Sequence, residues 1–408
     1  MGIIEEALEK IKKEDQPQVL AFWDDLDASQ REDFARQIIN TDFEGLHRYT
    51  PEGKGHEGKI SPIPVRTVEE IAAREAEWKE KGLTLLRQEK AAAVLLAGGM
   101  GTRLGSDGPK GVYDIGVTKP VYIFQRLIEN LLDVVREAGV YPDLYIMTSE
   151  KNDAVTKSFL AEHDYFGYEA SHVYFFEQEN APACDLNGKI YLEEKGRLAT
   201  SPNGNGGWYR SLINSEAGKA FLNSKAEWLN VFAVDNVLQR ILDPVFIGAV
   251  LEAEVNSGAK VIRKNAPDEG VGVLCLEDGY PTVIEYYELT DELMNTLDDK
   301  GQRLYDFGVI LNYLFRRKTL DSVVNDALPF HRVKKKIPCL DQNGELNKPS
   351  EPNGYKFEML VLDLVRSCET CLAYEVVREK EFAPIKNRTG KDSVESAREL
   401  LKQNRIEI

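Results

Sequence analysis

The hydrophobic positions of the chain follow one period in its first part and another in the remainder. Up to about residue 88 they recur every three to four residues, as on one face of a helix. This spacing predicts helices over residues 3–12, 19–26 and 29–39. After a loop predicted at 51–56, the capping box Thr67–Glu70 predicts a helix that runs through Trp78 and breaks at Gly82. We interpret residues 1–88 as an N-terminal helical extension packed on the rest of the chain.

From Lys90 onward, short apolar runs alternate with helical patterns. The apolar runs predict strands at residues 92–96, 144–148, 172–176 and 229–234. One helix is predicted between the first two strands, over residues 121–138. This alternation predicts an α/β fold with a mixed, mainly parallel central sheet flanked by helices, formed by residues 89–408. Ligands of such sheets bind outside the carboxyl ends of the strands, where we expect Gly98, Thr148, Gln178 and Asp235.

Composition and charge exclude several classes of function. Of the 408 residues, 42% are hydrophobic and 29% are charged, which is typical of a soluble globular protein. The formal net charge of -17 argues against a nucleic-acid or acidic-membrane partner, because such partners usually meet a basic surface. No apolar run approaches the length of a bilayer span, and the acidic start is unlike a secretory signal. We therefore expect a cytoplasmic protein that is a monomer or a weak homo-oligomer.

The five cysteines do not predict a disulfide framework. Cys368 and Cys371 form the one closely spaced pair, and no second pair completes a zinc site. We expect neither metal binding nor redox chemistry from these cysteines.

The apolar run Ala93–Leu96 is followed by a cluster of glycines with two basic residues. Gly98, Gly99, Gly101 and Gly105 remove the side chains that would keep the backbone away from phosphate oxygens, and Arg103 and Lys110 add positive charge. These positions are part of the stretch from Ala93 to Gly111. The spacing fits neither a dinucleotide fingerprint nor a P-loop, whose lysine is followed by Ser or Thr. The residues alone therefore leave open a phosphate-binding loop or an ordinary turn.

Other polar positions allow two interpretations each. Asp235 ends an apolar strand, where it would bind Mg²⁺ or cap the next helix. Asn312 interrupts an apolar run, and an amide there needs a partner that a ligand would provide. Glu285 fits a sugar site or an exposed strand. Gln178 and the glycine-rich segment 201–208 fit a binding loop or a solvated one.

The longer sequence string around the glycine cluster is a more specific signal than the spacing of its glycines. The string L-A-G-G-x-G-T-R-L-G followed by P-K-G resembles the signature of nucleotide-sugar pyrophosphorylases, in particular the UDP-N-acetylhexosamine branch of the UDP-sugar pyrophosphorylases. The resemblance covers about residues 17–400 and includes P-x-G-N-G-G at 202–207 and F-A-P-I-K at 382–386. It implies a Rossmann-like nucleotidyltransferase fold, similar to that of GT-A glycosyltransferases, whose sugar-binding part is about residues 240–408.

The resemblance also implies a role for individual residues. It implies that the nucleotide is bound by Leu96, Ala97, Gly98, Gly99, Gly101, Thr102, Gln178 and Gly204, with Gln178 reading the uracil edge. It implies that the sugar is bound by Asn205, Glu285, Tyr286 and Asn312. Arg103, Lys110 and Lys386 are expected to act on the phosphates, and Asp235 to hold Mg²⁺ or Mn²⁺.

The expected reaction joins UTP to N-acetylglucosamine 1-phosphate and gives UDP-N-acetylglucosamine and diphosphate. The sugar phosphate has a second pKa of about 6, so it is ionised at neutral pH and needs no general base. Alternatives are a UDP-glucose or broad-specificity UDP-sugar pyrophosphorylase, a glycosyltransferase, and a non-catalytic UDP-sugar sensor. A glycosyltransferase would not need both Arg103 and Lys110, and no D-x-D segment ends a predicted strand. A sensor would not need to retain Lys110, Asp235 and Lys386.

Overall fold

The computed structural model describes residues 2–49, 56–324 and 328–408, so all of the predicted loop at 51–56 except His56 lies outside the described residues. The helices within these ranges are α1 (Ile3–Lys13), α2 (Ala28–Asn40), α3 (Val68–Arg87), α4 (Ile123–Ala138), α5 (Asp153–Glu162), α6 (Trp208–Ile213), α7 (Glu216–Asn223), α8 (Pro244–Glu252), α9 (Asp291–Asn295), α10 (Arg317–Val323), α11 (Val361–Ser367), α12 (Arg378–Glu381) and α13 (Val394–Gln403).

The strands within the same ranges are β1 (Ile60–Pro62), β2 (Val65–Arg66), β3 (Ala91–Leu96), β4 (Leu144–Thr148), β5 (Val173–Glu177), β6 (Asn180–Pro182), β7 (Cys184–Asp185), β8 (Leu192–Glu194), β9 (Arg197–Leu198), β10 (Thr200–Pro202), β11 (Trp228–Ala233), β12 (Ser257–Arg263), β13 (Val273–Glu277), β14 (Tyr280–Ile284), β15 (Phe307–Arg316), β16 (His331–Lys335), β17 (Cys339–Leu340), β18 (Leu346–Asn347), β19 (Gly354–Glu358) and β20 (Cys371–Glu375).

The chain divides into two compact units that are both discontinuous in sequence. The first unit consists of Met1–Lys54, Gln178–Gly207 and Leu328–Val361. The second consists of Gly55–Glu177, Trp208–Ala327 and Leu362–Ile408. The predicted domains, 1–88 and 89–408, differ from these units. The difference arises because β1, β2 and α3 pack with the later strands and helices of the second unit, whereas two internal segments join the first unit.

The second unit contains the large sheet. Its strand order is β2-β20-β12-β15-β11-β3-β4-β5, and β13 pairs with β1, β14 and β15. The pairs β2/β20, β20/β12, β11/β3, β3/β4 and β4/β5 are parallel, and β15 is antiparallel to both of its neighbours β12 and β11. The predicted mixed, mainly parallel sheet is therefore confirmed.

The four predicted strands lie within one residue of their observed bounds as β3, β4, β5 and β11. Every residue of β3 and β11 is buried, which explains why their sequences are apolar runs, broken in β11 by Asn230 alone, rather than alternating patterns. The predicted helix at 121–138 corresponds to α4, whose apolar stripe includes Phe124, Leu127 and Leu131 in the core. These elements bring together the strand ends that carry the candidate site.

Helix α3 continues through Gly82, so the predicted break at this glycine is wrong. A Cβ at Gly82 would lie 2.0 Å from the carbonyl oxygen of Pro244, and a Cβ at Gly248 would lie 1.9 Å from the carbonyl oxygen of Trp78. The two glycines let the backbones of α3 and α8 touch. Glycine at position 82 therefore reflects helix packing and not the end of a helix.

The first unit contains α1, α2 and several short strands. Helices α1 and α2 confirm two of the three helices predicted near the N-terminus. The third prediction, 19–26, is wrong, because this segment forms 3₁₀ turns at Pro17–Leu20 and Trp23–Asp25. The side chain of Asp27 accepts a hydrogen bond from the N–H of Gln30 and starts α2, so the chain must leave helical geometry at Leu26.

Two further observations concern the helices and the cysteines of the described residues. None of the helices described is both long and apolar enough to cross a membrane. Burial raises the pKa of the Cys368 and Cys371 thiols to about 12, so both are protonated and unreactive at neutral pH.

Candidate active site

Three parallel strands of the second unit end together. Leu96 of β3 is paired with Ala233 of β11 on one side and with Met147 of β4 on the other. Because the strands run in the same direction, the segments that follow them leave the sheet at one edge. Gly98 and Asp235 belong to two of these segments, as the sequence predicted for the carboxyl edge of the sheet.

The glycine loop after β3 is held by side chains from the segment after β4. The Ser149 hydroxyl donates to the carbonyl of Gly98 (3.0 Å). The amide nitrogen of Asn152 donates to the carbonyls of Ala97 (2.9 Å) and Gly99 (3.4 Å). Asn152 is fully buried, so this contact is shielded from water. Sequence reasoning missed Ser149 and Asn152, although a Ser-x-x-Asn segment directly after a predicted strand was visible.

The predicted nucleotide-binding residues of this loop differ in what they can offer. Leu96 and Ala97 are buried, and the N–H of Ala97 already donates to Met147, so these residues support the loop. A Cβ at Gly99 would meet no atom of the described residues within 4 Å, so the protein's own packing does not require glycine there. The backbone at Gly99 thus borders open space, as it must where a phosphate approaches. Thr102 is exposed in the following turn.

The loop then folds back on itself and returns a lysine to its start. The N–H of Gly101 donates to the carbonyl of Gly108 (2.8 Å), and the N–H of Lys110 donates to the carbonyl of Gly99 (3.1 Å). The turn between them requires a positive φ of 76° at Gly105. Lys110 is therefore placed beside the glycines although it lies eleven positions after Gly99.

Four charged groups predicted from the sequence come together here. The Lys110 ammonium lies 3.9 Å from the Asp235 carboxylate, and only 16% and 25% of these side chains are exposed. Burial lowers the pKa of Lys110, the Asp235 carboxylate opposes this shift, and the positive charges of Arg103 and Lys386 lower the pKa further. Lys110 thus interacts with one carboxylate and with two other cations, an arrangement that suits a polyanionic ligand.

Lys386 reaches this cluster because its segment is attached to the segment after β11. The N–H of Ile385 donates to the carbonyl of Asp235 (2.8 Å). The Lys386 ammonium lies 3.5 Å from the Asp392 carboxylate, and its backbone N–H donates to the carbonyl of Asp392 (2.7 Å). These contacts explain how a lysine 151 positions after Asp235 becomes its neighbour.

Two of the predicted sugar-binding residues follow β14. Ile284 at the end of this strand pairs with Val273, which in turn pairs with Gly308 of β15. Glu285 is half-buried, and Tyr286 is exposed and packs edge-on against Tyr287. The structure therefore leaves the aromatic ring of Tyr286 accessible to a ligand.

The reasoning that led to Asn312 is not supported. Asn312 is fully buried, and its side-chain oxygen accepts a hydrogen bond from Asn230 (2.8 Å). Its amide nitrogen donates to the side-chain oxygen of Gln239 (3.2 Å) and to the carbonyl of Arg240 (3.3 Å). The protein itself supplies the partners that we expected from a ligand, so Asn312 has a structural role.

The remaining predicted residues lie in the first unit. The Gln178 amide nitrogen donates to the carbonyl of Gly204. Gly204 has a φ of 90°, and a Cβ there would lie 2.2 Å from the carbonyl oxygen of Met359, so only glycine fits. The Asn205 side-chain oxygen accepts from the N–H of Val361 (2.9 Å), which leaves its amide nitrogen to donate to a ligand. Gln178, Gly204 and Asn205 are therefore brought together within this unit.

Comparison with known proteins gives consistent matches. The family described as UTP--glucose-1-phosphate uridylyltransferase matches residues 43–406. The chain is 34% identical to UDP-N-acetylhexosamine pyrophosphorylase-like protein 1 of Homo sapiens, over 96% of this chain and 82% of the relative. It is 37% identical to UDP-N-acetylglucosamine pyrophosphorylase of Saccharomyces cerevisiae, over 83% of this chain and 74% of that protein.

A solved structure is also similar. The crystal structure of a protein from Entamoeba histolytica, described as a putative UDP-N-acetylglucosamine pyrophosphorylase, superposes with a TM-score of 0.77 at 30% identity, covering 85% of this chain and 88% of that one. The similarity therefore extends to the fold as well as to the sequence.

Proposed function

The chain belongs to the UTP--glucose-1-phosphate uridylyltransferase family, and we propose that it joins UTP to N-acetylglucosamine 1-phosphate and releases diphosphate. The family resemblance inferred from the glycine loop is thereby confirmed, and the protein is a uridylyltransferase. The choice of sugar is supported by the names of the human and yeast relatives. The observation that carries the proposed chemistry is the Lys110–Asp235 pair, with the positive charges of Arg103 and Lys386 acting on Lys110.

In the proposed reaction, a phosphate oxygen of the sugar 1-phosphate attacks the α-phosphorus of UTP in line with the leaving group. A new P–O bond forms, the bond from the α-phosphorus to the bridging oxygen breaks, and diphosphate leaves with that electron pair. The nucleophile is already ionised at neutral pH, because the second pKa of a phosphate monoester is about 6. The protein therefore has to position the two phosphates and stabilise charge rather than remove a proton.

The cationic cluster suits this task. We assign Arg103 and Lys110 to the departing diphosphate and Lys386 to the sugar phosphate. Burial lowers the pKa of Lys110, and the positive charges of Arg103 and Lys386 lower it further because like charges repel one another. The fold holds them together regardless, so the site is organised for negative charge before the substrate arrives. Such preorganised charge is usually the largest contribution to catalysis of this kind.

Asp235 is the residue that we assign to Mg²⁺ or Mn²⁺. Within the described residues, no three His, Cys, Asp or Glu side chains are grouped so that they could hold a metal ion. A single carboxylate fits Mg²⁺ nonetheless, because Mg²⁺ in such enzymes is commonly bound by one or two carboxylates together with substrate phosphates and water. When bound, the ion would neutralise charge on the phosphates.

The proposed sugar preference is tested by an assay of diphosphate release with UTP and a panel of sugar 1-phosphates. We expect N-acetylglucosamine 1-phosphate to be preferred over glucose 1-phosphate by about tenfold to two-hundredfold in kcat/KM. The pocket should still admit glucose, so only the contacts of the missing acetamido group are lost, worth about 1–3 kcal/mol. Equal use of both sugars, or a preference for glucose, would replace the proposal with a UDP-glucose or broad-specificity pyrophosphorylase.

The base preference should depend on Gln178. This side chain is 8% exposed, and its nitrogen is already directed to Gly204, so its oxygen is oriented to accept from the uracil N–H. We expect Gln178→Ala to reduce the preference for UTP over CTP by roughly tenfold, because a mispaired buried amide costs about 1–3 kcal/mol. Competition between the two nucleotides measures the ratio. An unchanged ratio would mean that the base is read by other groups.

A further inference from the structure

Asn236 lies directly after the proposed metal ligand, and its side chain reaches the segment that carries Lys386. The amide nitrogen of Asn236 donates to the carbonyl of Glu381 (2.7 Å), and the side-chain oxygen accepts from the N–H of Ala383 (2.9 Å). The side chain is 1% exposed. One buried amide thus bonds two residues of the segment, using both its donor and its acceptor.

The backbones continue this attachment towards Lys386. Asn236 and Pro384 form an antiparallel bridge, and the N–H of Ile385 donates to the carbonyl of Asp235 (2.8 Å). Lys386 is the next residue. The side-chain contacts of Asn236 therefore set the register in which Lys386 follows.

The start of the same segment is fixed by a buried group of charges. The ammonium of Lys260 is fully buried and lies 2.6 Å from the Glu381 carboxylate and 3.2 Å from the Asp243 carboxylate. The same ammonium donates to the carbonyl of Arg240 (3.1 Å). A buried ion pair of this kind resists displacement, because separating its members leaves an uncompensated charge.

A restraint of this kind matters because the positive charge of Lys386 acts on Lys110, and like charges repel one another. The Asp392 carboxylate, 3.5 Å from the Lys386 ammonium, offsets part of this repulsion. We infer that Asn236 is a positioning residue for the proposed uridylyl transfer: its amide holds residues 381–385 against the segment after β11, so that Lys386 stays beside Asp235 and Lys110. This inference rests on the proposed function and adds a residue that contacts no substrate.

A double-mutant cycle tests the inference. We expect Asn236→Ala to lower kcat/KM for the sugar 1-phosphate by about tenfold to hundredfold, since a misplacement of about 1 Å can cost that much. The loss should appear mainly in kcat, because charge stabilisation in the transition state is what Lys386 provides. In a Lys386→Met background, the same substitution should lower kcat/KM by less than about threefold. If Asn236 acts through Lys386, the effects of the two substitutions on kcat/KM are not additive.

Asn130→Ala is the matched control. Asn130 is also a buried amide, and it donates to the carbonyls of Val237 and Gln239 (both 3.1 Å) rather than to residues 381–385. Its loss should lower the thermal midpoint without lowering kcat/KM well below that temperature. Should Asn236→Ala fail to fold, Asn236→Ser replaces it in the cycle, since the hydroxyl retains part of the hydrogen bonding.

A second readout separates this inference from the proposed function. The dissociation constant of inorganic phosphate, which stands in for the sugar phosphate assigned to Lys386, is measured by calorimetry on the same four proteins and requires no turnover and no particular sugar. If the intact protein releases no diphosphate with any sugar 1-phosphate, the proposed function fails, while the cycle in phosphate affinity still tests Asn236. The positioning role would be overturned if Asn236→Ala reduced kcat/KM or the ligand affinity by the same factor in the presence and in the absence of the Lys386 side chain.

Discussion

Asp235→Asn should lower kcat/KM with UTP by on the order of a hundredfold to a thousandfold and leave the fold intact. The substitution keeps the size of the side chain and the backbone carbonyl that accepts from Ile385. It removes the negative charge 3.9 Å from the Lys110 ammonium and the hard oxygen ligand that Mg²⁺ prefers. Without this charge and this ligand, Lys110 loses its carboxylate partner and Mg²⁺ is held less tightly beside the phosphates. Initial rates of diphosphate release at a series of Mg²⁺ concentrations measure the effect.

Binding of UTP provides a second measurement for the same variant. In the intact protein, UTP affinity should rise when Mg²⁺ is added, and this rise should be much smaller in Asp235→Asn. Asp133→Asn is the control, because Asp133 is an exposed carboxylate on α4 that pairs with Arg136. Full activity of Asp235→Asn in Mg²⁺ would remove Asp235 from the mechanism.

Strands β3, β4 and β11 of the sheet were predictable because they are buried on both faces. Such strands must be apolar throughout, and β3 and β11 stand out in the sequence as runs without a polar residue on either side of the sheet, apart from Asn230. The predicted carboxyl edge followed from the direction that parallel strands share. The position of the glycine loop and Asp235 at one edge is therefore a consequence of local pattern plus topology.

Features that depend on distant partners were not predictable from local patterns. Asn312 looks like an unpaired amide in its own segment, and its partners Asn230 and Gln239 are 82 and 73 residues away. Gly82 looks like a helix break, because no residue near it in sequence indicates that α8, with Gly248, packs directly against α3. In both cases, contacts with residues that are distant in sequence determine the role of the residue.

Lys386 illustrates what a resemblance adds to local reasoning. Its segment gives no sign of a functional site on its own, and its place beside Asp235 depends on the bridge between Asn236 and Pro384. The family motif pointed to Lys386, but it did not point to Asn236, whose role is visible only in the hydrogen bonds that it makes. Residues that position a site are therefore harder to find than residues that contact a ligand.

Gly248→Ala should lower the free energy of unfolding by about 3 kcal/mol or more, the upper part of the range for overpacked cores. The new methyl group would lie 1.9 Å from the carbonyl oxygen of Trp78, and backbone cannot rotate aside as a side chain can. Helices α3 and α8 would have to separate along a contact that is buried on both sides. Urea unfolding followed by tryptophan fluorescence measures the change, with Trp78 reporting from the contact itself.

Gly270→Ala is the control for this prediction, since a Cβ at Gly270 would meet no atom of the described residues within 4 Å. Its free energy of unfolding should change by less than about 1 kcal/mol. Equal stability of Gly248→Ala and Gly270→Ala would contradict the close contact of α3 with α8. The contact also bears on the site, because Asp243 caps the start of α8: its carboxylate accepts from the N–H of Val245 and contacts buried Lys260. A displaced α8 would loosen the anchor of Glu381, so Gly248→Ala should lower kcat/KM even at temperatures where the variant remains folded.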